Sequence, residues 1–314
     1  MQQLIQIANI VAPVFLMVFL GVILKRRGLI TADFVRTSPQ IVFKITLPAL
    51  IFLKISATDY SRVLNFEQVI FVYIALTLFF IWEWVIAFIL TKDGGSRGAF
   101  IQGGFRSNLA IIGLALINNA FGPHAMAQAA ILLAFIMPMY NVYSILALTV
   151  PLHKEKRVRF GRTMWEIATN PLILAALIAL PFSVFRLHLT PILTRTIGYL
   201  ADLTLPLALL SIGGSLSFKS VKQDFKLSAL AAAHKIVFMP LALVTAAYFA
   251  GFRNVDLGIL FFLFASPSAI ASYIMAEAMG SNGKLAANIV LLTTLGSVVT
   301  ISIGLLILRN YGLF

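Results

Sequence analysis

The chain contains no cysteine, which removes disulfides, thiolate metal sites and cysteine nucleophiles from consideration. Its four histidines are scattered and lack metal-ligand spacing, so no metal site is expected. Acidic residues are scarce: 11 Asp and Glu face 24 Lys and Arg, a net charge of +13. Only 11% of residues are charged, and no long polar segment interrupts the chain. No His-Glu-x-x-His, Gly-x-Ser-x-Gly or Walker-type loop appears, which argues against an intramembrane enzyme and against ATP-driven pumping by this chain alone. No basic residue precedes Lys25. The first apolar stretch is therefore read as a retained span and not as a cleavable signal peptide.

What fills the chain instead is apolar. Hydrophobic residues make up 60% of it and the mean hydropathy is +0.97. The apolar runs are about 20 residues long, the length that crosses a bilayer core. They lack the short alternation of a β-barrel. The pattern predicts an all-α polytopic membrane protein with ten spans: 8–24, 35–55, 68–90, 100–119, 124–150, 163–186, 192–216, 227–250, 255–279 and 285–308. With the N-terminus outside, 15 basic residues fall in inside loops and six outside, while Lys44, Arg106 and Lys235 lie within spans. The excess of basic residues on the cytoplasmic side predicts both termini outside. Basic loops of this kind contact lipid head groups, so the positive charge is assigned to the bilayer and not to a nucleic acid. The most charged segment, 151–162, is read as a cytoplasmic linker and topology anchor between residues 1–150 and 163–314.

Those two segments repeat each other. Pro13 and Pro48 are 35 residues apart, as are Pro171 and Pro206, and Thr46-Leu47-Pro48 matches Thr204-Leu205-Pro206. An offset of 158 to 159 also carries Phe105-Arg106-Ser107-Asn108 onto Phe264-Ala265-Ser266-Pro267. Two five-span units of opposite orientation are expected, a common plan for a secondary transporter. Pro48 and Pro206 are predicted helix-breaking positions, with Gly113 a further flexible point, because proline removes a backbone hydrogen bond. Spans 4 and 9 have polar centres, Arg106-Ser107-Asn108 and Ser266-Pro267-Ser268. Were these helices to unwind where they cross, their half-helix N-termini would offer N–H groups to an anion. Asn108 could bind substrate or tie down the opened backbone.

With Phe105 to Gly113, the Thr-Leu-Pro of span 2 and the two repeats in order, the chain resembles the auxin efflux carrier family. It is similar to the short bacterial members, within the wider bile-acid, arsenite and riboflavin transporter-like group. The resemblance implies a scaffold of spans 1, 2, 6 and 7 beside a transport unit of spans 3–5 and 8–10. It further implies crossed, broken spans 4 and 9, elevator-like alternating access, a homodimer and a place in the bacterial cytoplasmic membrane. Family substrates are mostly organic anions, including small dicarboxylates and auxin. The long central loop of plant members has no counterpart here. Pro267 matches the family's crossing proline, whereas span 4 carries Asn108 at that point.

Charges within spans complete the reading. Arg106 is the candidate for carboxylate recognition, since a guanidinium binds a carboxylate bidentately and its repeat counterpart is Ala265. The competing role is a side chain that snorkels to the interface. Lys44 and Asp202 occupy matched positions and are candidates for an electrostatic link that sets the conformational equilibrium; Asp202 could instead be a protonatable coupling site. Glu83, between Trp82 and Trp84, is either a proton carrier or an interfacial residue. His234-Lys235 reads as an inside-edge anchor with a proton relay as the alternative, and Glu277 as a solvated helix end. The function predicted is a secondary carrier of a small organic anion, a mono- or dicarboxylate, without cofactor and coupled to H+ or Na+ or driven by its own gradient. An anion channel and a non-transporting membrane sensor are the alternatives.

Overall fold

A computed structural model describes residues 2–56, 65–152, 169, 171–185, 187, 189–216 and 224–313. Among them every regular element is helical. The helices are α1 (Gln2–Arg26), α2 (Ala32–Ile41), α3 (Leu47–Ser56), α4 (Phe66–Leu90), α5 (Gly94–Phe105), α6 (Leu114–Thr149), α7 (Pro171–Val184), α8 (Pro191–Ser215), α9 (Phe225–Ala233), α10 (Met239–Phe249), α11 (Asn254–Ala265), α12 (Ile270–Ala278) and α13 (Gly283–Asn310). Several start on side chains that take the first free amides: Thr31, Asn65, Asp93, Thr190 and Asn282 each accept from the residue three further on.

Six segments among the described residues are long and apolar enough to cross a membrane. The longest, Leu109–Leu152, is turned at Gly122 (φ 82°, ψ −172°), ahead of Pro123. The protein is thus an all-helical, multi-pass membrane protein. Residues 153–162 of the linker, and residues 163–168 and 170 of the span expected at 163–186, lie outside the described residues.

Among the described residues, wide π turns interrupt otherwise continuous helices at Val42–Thr46 and His234–Phe238, and a third, Leu109–Gly113, opens the run into α6. The first precedes Pro48, and the amide of Leu47 reaches back to the Val42 carbonyl. The helix widens to seat the proline and continues into α3. Pro206 lies inside uninterrupted α8. Both prolines, expected as breaks, leave their helices running on, because one unmade bond in a long, packed helix is tolerated where neighbours support it.

The helices gather into two sets. α1, α2, α3, α7 and α8 pack on one another, with α1 against α8 the most extensive contact; α4, α5, α6 and α9–α13 form the other. Gly21 and Gly213 let α1 and α8 approach backbone to backbone, since a Cβ on either would collide with a main-chain carbonyl of the other helix.

Candidate functional site

The breaks fall at Arg106–Asn108, between α5 and the π turn at Leu109–Gly113, and at Ser266–Ala269, between α11 and α12. The two extended stretches pair as a short antiparallel bridge, Ser107 against Ser268. The Asn108 amide donates to the Pro267 carbonyl at 2.8 Å, and the Ala269 amide to the Arg106 carbonyl at 3.1 Å. Each opened backbone thereby satisfies the other, as apolar surroundings demand. The Ser268 hydroxyl donates to the Gly103 carbonyl, its amide to Thr293 Oγ1 at 3.1 Å, and the Ser266 hydroxyl to Phe262 O at 2.5 Å. Gly113 allows the close approach: a Cβ there would lie 2.6 Å from Leu109 Cδ1 and 3.0 Å from Ser266 Oγ.

A cavity of about 340 Å³ opens beside the crossing, between the two helical sets. Arg106, Ser107 and Asn108 line it, as do Tyr140, Asn141 and Ser211; the rest of its wall is mostly apolar. Ile270 and Ala271 bring the first turn of α12, and hence its positive end, to the same wall. Ser266, Pro267 and Ser268 do not line it. Their role in the structure is to hold the crossing, which residue type alone does not distinguish from ligand contact.

Arg106 is only 5% exposed. One guanidinium nitrogen donates to Ser144 Oγ (2.9 Å) and Met275 Sδ (3.0 Å), the other to Asn141 Oδ1 (3.1 Å). No carboxylate partners it among the described residues. The snorkelling alternative does not describe this side chain, which faces an internal cavity. Nearby, the hydroxyls of Ser107, Tyr140 and Ser211 lack hydrogen-bond partners. Tyr140 does lie beside Ser107, but not in a geometry that satisfies either group. A buried cation and three unsatisfied hydroxyls around one cavity form a ready-made polar recess.

The remaining candidates are placed elsewhere. Lys44 and Asp202 are both exposed, and no ion pair joins them. Glu83 is fully buried, 3.1 Å from His234 Nδ1, so it is not interfacial. Lys235, expected at the inside edge, is also fully buried and donates to the Phe264 carbonyl at 2.7 Å. It misled because a lysine in an apolar run usually reaches water. Glu277 is exposed, as a solvated helix end should be. Tyr140, Asn141 and Ser144 went unnoticed in the sequence; their spacing along α6 was the available signal, since residues three and four apart share a face.

Membrane-spanning helices that enclose a polar cavity at a broken crossing define a membrane transport protein. The family model for membrane transport proteins matches residues 6–305, and the chain belongs to that family, the auxin efflux carriers. It is 23% identical to an uncharacterized transporter of Methanocaldococcus jannaschii over 96% of this chain and 99% of that one. With an uncharacterized transporter of Methanothermobacter thermautotrophicus it shares 21% identity over 93% of this chain and 95% of the relative. The family and these relatives are transporters and not enzymes.

Proposed function

We propose that the protein is a secondary carrier for a small organic monocarboxylate, which binds with its carboxylate on Arg106 and its apolar body against the cavity wall. The observation that carries this reading is a buried guanidinium, without an acidic partner among the described residues, on an internal cavity of about 340 Å³. Arg106 is the sole charged residue lining that cavity among the described residues, which favours one carboxylate over two: a second would lose its hydration without gaining a cation. Hydrogen bonds to a charged group contribute about 1.5–3 kcal/mol each.

In this reading the chain has ten spans in two inverted repeats, with both termini outside. α1–α3, α7 and α8 act as scaffold, and the other set carries the site past it in elevator fashion. The division of the helices into two packed sets with the cavity between them supports this plan. Placement in a bacterial cytoplasmic membrane and assembly as a homodimer follow from the family resemblance.

The test is thermal stabilisation of the purified protein by benzoate, phenylacetate and isovalerate against succinate and malate. Monocarboxylates should stabilise it most, and Arg106→Ala should weaken the effect at least tenfold. Stabilisation by dicarboxylates alone, or a hit unmoved in a folded Arg106→Ala protein, would sink the assignment.

A further inference from the structure

Beside the crossing, among residues that do not line the cavity, lies a second polar cluster that anion binding does not use. Glu83 of α4 is 0% exposed; its Oε1 meets His234 Nδ1 at 3.1 Å, and its Oε2 has no hydrogen-bond partner. Lys235, next in sequence to His234, is equally buried; besides Phe264 O it reaches Met239 Sδ at 3.3 Å. The geometry points to a proton-binding site formed by Glu83, His234 and Lys235, which takes up its proton together with the anion. This inference rests on the carrier reading above.

Three features support it. First, the cluster touches both breaks. A Cβ on Gly104, two residues before Arg106, would lie 2.5 Å from Glu83 Oε2, so the carboxyl bears directly on α5. Lys235 meanwhile holds the carbonyl of Phe264, two residues before Ser266, an acceptor that the break leaves short of helical donors. Second, the charges are not copied in the repeat. An offset of 158 relates Lys235 to Thr77 and Glu83 to Leu241, so the crossing can be built without them. Third, the unpartnered Oε2 is a costly arrangement for a permanently ionised carboxylate and a natural one for a group that gains and loses a proton.

A route exists through His234, whose side chain is 20% exposed where Glu83 is sealed. A proton bound at Nε2 lets the imidazole release its Nδ1 proton to Glu83 Oε1. One N–H bond forms, another breaks, an O–H bond forms, and the ring is left as its other tautomer. The charges acting on Glu83 are His234 and Lys235. From α5 the near groups are Gly104 and Phe100, whose ring meets His234. Arg106 is turned toward Ser144 and Asn141, and Tyr143 of α6 bonds Thr77.

Charge balance explains the pairing of proton with anion. Carboxylate on Arg106 makes that site neutral, and Glu83 and Lys235 with one titrating proton between them form a neutral pair too. Once the anion leaves, Arg106 is an uncompensated buried cation, and loss of one proton from the cluster restores neutrality. Moving a neutral unit avoids the cost of a net charge in low dielectric.

The experiment uses the full chain in weakly buffered detergent solution, with the panel monocarboxylate that stabilises it most, benzoate first. Binding should take up close to one proton per anion, and affinity should fall about tenfold per pH unit between pH 6 and 8, by linkage. In the charge-balanced double variant Glu83→Gln/Lys235→Met the affinity should be flat with pH and the uptake absent. No proton uptake in the wild type, or the same uptake in the double variant, overturns the proposal. Infrared pH-difference spectra give a reading without ligand: the wild type should show a titrating carboxyl band that Glu83→Gln lacks, and identical spectra overturn the proton site. If no panel anion binds, the carrier reading fails by itself, and the proton site stands or falls on the infrared result.

Discussion

At the first break the chain turns Arg106, Ser107 and Asn108 toward a cavity; at the matched second break, Ser266 and Ser268 spend their hydroxyls on backbone carbonyls. The backbone plan is common to both: a half-helix of 12 residues, three or four non-helical residues, then a helical restart. What differs is the chemistry fixed to it. One break presents polar side chains to a cavity and the other uses its hydroxyls to hold the crossing.

This contrast can be broken most forcefully at Gly113, whose repeat counterpart is Ser272. Gly113→Ser should cost about 1–3 kcal/mol by overpacking against Leu109 and Ser266, read as a lowered thermal midpoint in detergent. Ser272→Ala, which removes a buried hydroxyl without a partner, should leave stability within about 0.5 kcal/mol. Equal losses at both positions would mean that the two restarts are packed alike.

The paired serines sharpen the comparison. Ser268→Ala should destabilise by about 1 kcal/mol through loss of its bond to Gly103, with little change in ligand preference. Ser107→Ala should behave the other way: stability nearly unchanged, carboxylate affinity down several-fold, measured by titration of the same panel.

The smallest effect lies where the half-helices begin. α5 starts on Asp93, which accepts from the Ser96 amide at 2.7 Å, whereas Arg253 caps α11 without a side-chain bond to its first turn. The hydrogen bonds from Ser96, ahead of a smaller contribution from Arg97, hold the Asp93 carboxyl below its ordinary range. Its contribution is therefore present above the unfolded value and lost as pH falls through the lowered folded one. Asp93→Ala should cost about 0.5–1 kcal/mol near neutral pH, and the difference from wild type should vanish in acid. A difference that persists at low pH would show that the cap does not act through its charge.

Much of the architecture was legible. Apolar runs of membrane-spanning length are set by bilayer thickness, and the polar centres at 106–108 and 266–268 stand out because unpaired backbone is tolerated there only with support. The prolines misled: Pro48 and Pro206 looked like breaks, but packed neighbours carry both helices through. Arg106 was legible as an oddity, a cation with a neutral repeat counterpart. Its ligands on α6 and α12 were not, since helix rotation decides which face of Asn141, Ser144 and Met275 looks inward.

The sequence by itself determined the membrane class and the two places where helices open, since these follow from local hydropathy and backbone chemistry. Only the tertiary structure decided that Ser107 faces a cavity while Ser268 is tied to Gly103, that Glu83 lies on His234 151 residues away, and that Lys235 holds Phe264 O. Those choices depend on helix crossing and rotation, through which polar groups withdrawn from water must find partners wherever packing brings them.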